Sequence, residues 1–354
     1  VAFLAAGLPA AARREAEAAL RSGAARVAVG THALLGEAIT IPGLALVVVD
    51  EQQRLGVAQR LALVRKGERP HLLTLSATPI PRTLALAVRG DLATSVLRER
   101  PAGRPPVRTE LAGASSLEDV VARARATCER GERVFWVVPR IDTDDEDEDA
   151  DPLASATARA EALTEALAPH RVGLLHGAMP PAARRAAMAA FRSGETALLV
   201  GTTVVEVGVD VPEATLMVVE EAERFGLAQL HQLRGRVGRG ARPGSCVLLH
   251  AEPLEGVAKR RLTALTELAT GEEIARTDLE LRGAGDLGGT RQHGAEEELL
   301  YLEPGASYPW LARIAEDARA IRAADPELAR AEHRALGSLV ARLGHVIAVR
   351  EEAG

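Results

Sequence analysis

Short runs that are apolar at nearly every position recur along this chain, each closed by a glycine or by polar residues. They fall at residues 26–30 (RVAVG), 44–49, 71–75, 133–139 (RVFWVVP), 172–175, 197–200, 214–219 and 245–250. A strand that faces solvent on one side alternates apolar and polar residues; a run with no polar member is buried on both faces. Helix-length segments separate the runs. Helices are predicted over residues 8–23, stopped by Gly23, over 117–131, near 153–168, near 180–193 and across 227–234. Buried strands alternating with helices make a parallel sheet covered on both faces, so the fold class is α/β. In such sheets ligands gather at the carboxyl ends of the strands. From about residue 256 the pattern is helical and charged, with no strong strand before the extreme C-terminus.

The chain of 354 residues is long enough for about two to three domains. Residues 101–106 (PAGRPP) break the pattern, and the alternation then restarts. The predicted division is 1–104, 105–255 and 256–354: two α/β units and a mostly helical tail. No short-period repeat is present, and the two α/β units are candidates for distant copies of one another. Residues 142–152 (DTDDEDEDADP) read as a solvated acidic loop. Aromatic residues make up 2% of the chain, which argues against a stacking platform for single strands. The net charge of −6 gives no overall nucleic-acid signal, so any such contact comes from local patches. Cys128 and Cys246 stand far apart, outside any CxxC, and read as buried thiols in a reducing compartment. No apolar stretch reaches the roughly 18 residues of a membrane span, and Val-Ala-Phe-Leu is no signal peptide. A cytoplasmic protein with no membrane partner is expected.

Four elements could carry chemistry. Asp50-Glu51 closes the run at 44–49. An acidic pair at a strand end is the Walker B pattern, in which one carboxylate holds Mg²⁺ through water and the next orients the attacking water. A plain helix cap or surface pair is the alternative. Ser76-Ala77-Thr78-Pro79 sets two small hydroxyls in a tight turn that can reach the acidic pair; it also fits an ordinary Ser/Thr turn. Residues 232–240 (QLRGRVGRG) space arginines with glycines, which suits planar guanidinium groups facing phosphate, or alternatively a basic RNA-binding patch. The apolar helical flank at 225–231 favours an ordered site. Residues 201–212 (GTTVVEVGVDVP) set a hydroxyl pair, Thr202 and Thr203, at a strand end where it can hold a nucleic-acid phosphate, with Asp210 placed for the ribose of a nucleotide.

In this order and spacing the four elements resemble motifs II, III, V and VI of superfamily 2 helicases. Gly30-Thr31-His32 resembles motif Ib, and His176-Gly177-Ala178-Met179 the turn after motif IV. The closer resemblance is to the RecG family, carried by DEQQRLGVAQR, LSATPIPRTLALAVRGDL, PAGRPPVRT, ERFGLAQLHQLRGRVGRG and DLELRGAGDLGGTRQHG. It implies tandem RecA-like domains, the first incomplete, followed by a helical coupling element. It further implies a monomeric, nucleoid-associated bacterial enzyme that uses ATP and Mg²⁺ to remodel branched DNA, forks and Holliday junctions, in recombination and repair. On this resemblance Asp50 holds Mg²⁺ through water and Glu51 activates water. Gln232, Arg236 and Arg239 face the nucleotide, with Arg239 as arginine finger, and Gly208 and Asp210 bind it. Gln53, Ser76, Thr78, Arg282, Arg291 and Gln292 couple hydrolysis to movement. Gly30, Thr31, His32, Thr202 and Thr203 contact DNA.

Three departures qualify the resemblance. No GxxxxGK[ST] loop occurs in the 354 residues, and the family's place for it lies before Val1. The family's wedge domain is not among them either. Gln53 stands where the family usually has His, and it cannot become a cation. The expectation is an N-terminally truncated motor that is inactive alone. The alternatives are a non-hydrolysing DNA- or partner-binding module and a relative of the transcription-repair coupling translocases, which share motifs V and VI.

Overall fold

A computed structural model describes residues 1–36, 38–51, 55–76, 95–97, 105–139, 152–202, 210–268, 270–282 and 308–342. The chain divides into two compact units, Val1–Ala77 and Thr78–Gly354.

The first unit runs β1 (Ala2–Leu4), α1 (Ala10–Arg21), β2 (Ala28–Gly30), a 3-10 turn (His32–Leu35), β3 (Leu46–Val49), α2 (Val57–Val64) and β4 (His71–Thr74). β1 pairs with β2 and β3 with β4, both parallel. Leu4, Leu20 and Ile39 form a small core with Ala2 and Ala25. α1 ends at Ser22, and Gly23 follows at φ 77°, a left-handed turn that glycine adopts at no steric cost. The expectation of strands buried on both faces is corrected here. Val47 and Val49 are 7% and 3% exposed, but Leu46 and Val48 between them are each 52% exposed. Side chains alternate along a strand, and among the described residues only one face of β3 is covered.

The second unit is built on a six-stranded parallel sheet in the order β5-β10-β9-β6-β8-β7. Its elements are β5 (Arg108–Gly113), α3 (Leu117–Glu129), β6 (Arg133–Val137), α4 (Pro152–Ala166), β7 (Val172–Leu175), α5 (Pro181–Ser193), β8 (Leu198–Gly201), β9 (Ala214–Val219), α6 (Leu227–Arg234) and β10 (Ser245–His250), then α7 (Gly256–Glu267), α8 (Gly271–Arg282) and α9 (Tyr308–Ala324). Here both faces are covered, as the apolar runs require. Phe135 and Val137 of β6 enter one core with Phe191, Met217 and Leu230, while Val134 and Trp136 enter the other with Leu163, Leu198 and Val218. Among the described residues no helix is long and apolar enough to cross a membrane.

Both cysteines are buried. Burial pushes the Cys128 thiol up to about 11 and the Cys246 thiol up to about 12. Since the thiolate is the reactive form, neither should label with a disulfide reagent at about pH 8 until denaturant is added. Rapid labelling of the folded protein would contradict this packing.

One local design occurs in both units. Residues 48–59 read VVDEQQRLGVAQ and residues 218–229 read VVEEAERFGLAQ. In each, a strand ends in two acids, the second in the left-handed region: Glu51 at φ 51° and Glu221 at φ 45°. In each, a glycine precedes the next helix and its amide donates to a glutamine three residues on, Gly56 to Gln59 and Gly226 to Gln229, both at 3.1 Å. The same strand end and the same helix start are therefore built twice.

Candidate nucleotide and nucleic-acid sites

In the first unit the sequence-predicted groups collect at the carboxyl ends of the strands. Asp50 and Glu51 leave β3 beside Ser76, because the chain after β4 continues the ladder: the Leu75 amide donates to the Val49 carbonyl at 2.8 Å. Asp50 is exposed and its Oδ1 accepts the Glu51 amide at 2.9 Å. Glu51 holds its left-handed φ without being glycine, a conformation costing about 1–3 kcal/mol that tends to persist where function needs it. Among the described residues no three or more His, Cys, Asp or Glu are grouped to hold a metal. The exposed strand-end carboxylate suits an ion that keeps most of its water, as Mg²⁺ does, rather than a protein cage.

The second group of this unit is Gly30-Thr31-His32. Gly30 is required by packing: a Cβ there would lie 2.1 Å from the Leu4 carbonyl oxygen. The Thr31 amide donates to that same oxygen at 3.1 Å, and His32 opens the 3-10 turn in an exposed position. Lys66, which the sequence reading did not single out, ties the region beyond α2 to this turn. Its ammonium donates to the carbonyls of Gly36 (2.8 Å) and Ile39 (3.0 Å).

In the second unit the groups divide between two edges of one sheet. Thr202, at the carboxyl end of β8, is 7% exposed, and His176 follows the neighbouring β7. The arginines lie at the opposite edge. α6 starts beyond the carboxyl end of β9 and carries the chain back, so that the Gly238 amide meets the carbonyl of Ala214, the first residue of β9, at 3.0 Å. The glycines of residues 235–240 permit this approach; a Cβ on Gly240 would lie 2.6 Å from the Pro212 carbonyl oxygen. Arg239 donates from Nε to the Gly235 carbonyl at 3.0 Å and sets Nη1 3.5 Å from Asp210 Oδ1. Two residues assigned separately to the nucleotide thus stand side by side. Gln232 and Arg236 are half-buried nearby on the same helix and turn.

Arg234 belongs to the run whose arginines were expected to face phosphate, but it turns into the fold instead; Arg261 was not anticipated. Arg234, 9% exposed, donates to the carbonyls of Leu265 (2.8 Å) and Leu268 (3.2 Å) at the end of α7. Arg261 of α7 reaches back to the carbonyls of Glu223 and Phe225, ahead of α6. α6 therefore lends a guanidinium to the end of α7, and α7 lends one to the turn that leads into α6. Arg234 had a readable signal: with Leu227 and Leu230 it completes the buried stripe of α6 at helical spacing.

Glu220 and Glu132 complete the charged framework. Glu220 accepts the indole N–H of Trp136 and pairs with Arg159 at 2.6 Å. Glu132, just ahead of β6, accepts from the Thr215 hydroxyl and pairs with Arg130 (3.0 Å) and Arg242 (3.2 Å). Burial pushes the Glu132 carboxyl upward, but hydrogen bonds from Arg130 and Thr215 and the charges of Arg130 and Arg242 outweigh it and hold the group below the usual carboxylate range.

Gln53, Thr78, Thr203, Gly208, Arg291 and Gln292 lie outside the described residues, and for Arg282, which closes α8, only the backbone is described.

The fold and these groups can be compared with known proteins. Residues 117–241 match the family model of the helicase conserved C-terminal domain. The chain is 49% identical over 282 residues to the ATP-dependent DNA helicase RecG of Acidithiobacillus ferridurans, covering 80% of this chain and 41% of that protein. It is 48% identical over 311 residues to RecG of Escherichia coli O157:H7, covering 86% and 44%. The structure of RecG bound to a three-way DNA junction superposes with a TM-score of 0.66 at 35% identity, covering 89% of this chain and 39% of that one. The chain is similar to the RecG helicases over most of its own length. It spans about two-fifths of the length of the curated relatives it matches.

Proposed function

We propose that this chain supplies the hydrolytic acids, the phosphate-facing arginines and the DNA-gripping turns of an ATP-driven helicase acting on branched DNA, forks and Holliday junctions, in recombination and repair. The observation that carries this reading is the pairing of Arg239 with Asp210 at the amino edge of a sheet whose fold matches junction-bound RecG. Mg²⁺ would be held through water by Asp50 and would neutralise charge on the transferring phosphoryl group. Glu51 orients the attacking water. Gln232 and Arg236 line the phosphates, Arg239 meets the developing charge, and Gly208 and Asp210 hold the nucleoside. Gly30, Thr31, His32, Thr202 and Thr203 bind DNA phosphates. Gln53, Ser76, Thr78, Arg282, Arg291 and Gln292 transmit closure into movement. The division of labour follows 1–104, 105–255 and 256–354, in a monomer of the bacterial cytoplasm that works at the nucleoid.

The test is fork binding and DNA-stimulated ATP hydrolysis by this chain, with Arg239→Ala as control. A fork should bind more tightly than linear duplex. Turnover should not exceed the control, because no GxxxxGK[ST] loop lies in these residues. Turnover that disappears in Arg239→Ala would mean that ATP is gripped by other groups here. Equal binding of fork and linear duplex would overturn the branched-DNA assignment.

A further inference from the structure

Among the fastenings of the turn that carries Arg239, two meet at the start of β9, and only one of these is local to the arginine motif. The near fastening is the Gly238 amide on the Ala214 carbonyl. The far one is Arg242, whose Nη1 lies 3.2 Å from Glu132 Oε1. These two fastenings converge on one spot of the sheet. Ala214 and Thr215 are consecutive in β9, Ala214 is the register partner of Arg133, and Glu132 precedes Arg133. Glu132 is the fixed member of the pair. Its side chain is 11% exposed and already held by Arg130 and by the Thr215 hydroxyl, whereas the Arg242 side chain is 60% exposed. An exposed pair of two mobile side chains contributes little, but an acid that is already ordered gives the arginine a preset partner at small entropic cost. No step of the proposed reaction uses Glu132.

We propose that Glu132 is a positioning residue for the arginine turn, anchoring Arg242 so that Arg239 is presented at the amino edge of the sheet. The consequence for catalysis rests on the reading of Arg239 given above; the anchoring itself does not. The acid acts through its charge on a segment remote in sequence. The effect should therefore follow the Glu132–Arg242 pair and leave the sheet beneath it alone.

Amide hydrogen exchange on the whole chain, without ATP or DNA, tests this. In Glu132→Gln and in Arg242→Ala, amides of residues 238–244 should lose protection by about tenfold, the scale of one hydrogen bond to a charged group. Amides of β6 and β9 should keep theirs. Arg242→Lys retains the charge and should restore protection to within about twofold of the unmodified chain. Unchanged protection of the turn in Glu132→Gln would overturn the proposal. So would an equal loss throughout β6 and β9, which would make Glu132 a general support of the sheet. Because the readout needs no nucleotide, this inference and the helicase reading can fail separately.

Discussion

Trp136→Ala is expected to destabilise the second unit by about 3–5 kcal/mol, the range for removing a large aromatic side chain from a core. Trp136 is fully buried on the central strand β6, packed among Leu163, Leu198 and Val218. Its indole N–H also serves Glu220, which among the described residues would keep Arg159. A loss of this size is a large fraction of the roughly 5–15 kcal/mol that holds a domain together, so the variant should melt far below the parent. Trp136→Phe separates the two contributions. It preserves most of the packing and removes the donor, and should cost about 1–2 kcal/mol. Urea melts followed by circular dichroism measure both. A small effect of the alanine variant would show that the core is not centred on β6.

The second large effect concerns chemistry. When the chain is joined to a GxxxxGK[ST] loop so that ATP is held, Arg239→Ala should lower DNA-stimulated turnover by about a thousandfold, the lower end of what an arginine finger contributes. The loss should fall on kcat more than on KM, because the guanidinium meets charge that develops in the transition state. Arg239→Lys should restore little, since an ammonium lacks the planar fork. The ion pair with Asp210 does not oppose this role. At 3.5 Å, with Asp210 65% exposed, it is weak enough to be exchanged for a phosphate. Steady-state kinetics on a fork substrate would decide. A KM effect at unchanged kcat would move Arg239 from catalysis to ground-state binding.

Apolar patterning made most of the second unit readable. Val172–Leu175, Ala214–Val219, Ser245–His250 and the helix Leu227–Arg234 fall where the sequence predicts them; the last three bury most of their apolar residues, and the edge strand Val172–Leu175, half-buried, still carries a continuous apolar run. β5 was not predicted for the same physical reason. It is an edge strand pairing only with β10, and its sequence RTELAG carries no continuous apolar run. β1 has three residues, too few for a pattern to register. In the first unit the runs were as apolar as in the second, yet Leu46 and Val48 face outward, so composition overstated their cover. The site shows the same division. Acids and hydroxyls at strand ends were legible because the motif and the strand that positions it are contiguous. Lys66, Glu132 and Arg242 were not, because each acts on a backbone or a charge far away in sequence, and ordinary charged residues look alike until the fold brings them together.

The strand end and helix start built twice, at residues 48–59 and 218–229, show how two copies of one design part company. In the first copy the leading acid, Asp50, is open to solvent and keeps the capacity to recruit a hydrated ion. In the second, Glu220 is already neutralised from within by Arg159 and capped by Trp136. The leading acid of the first copy is exposed, whereas a resident guanidinium stands beside the leading acid of the second. Its carboxylate is thereby committed to holding the strand end from which the arginine helix departs. The two copies thus share the left-handed second acid and the glycine–glutamine helix start, and differ in whether the leading acid has an internal cation beside it.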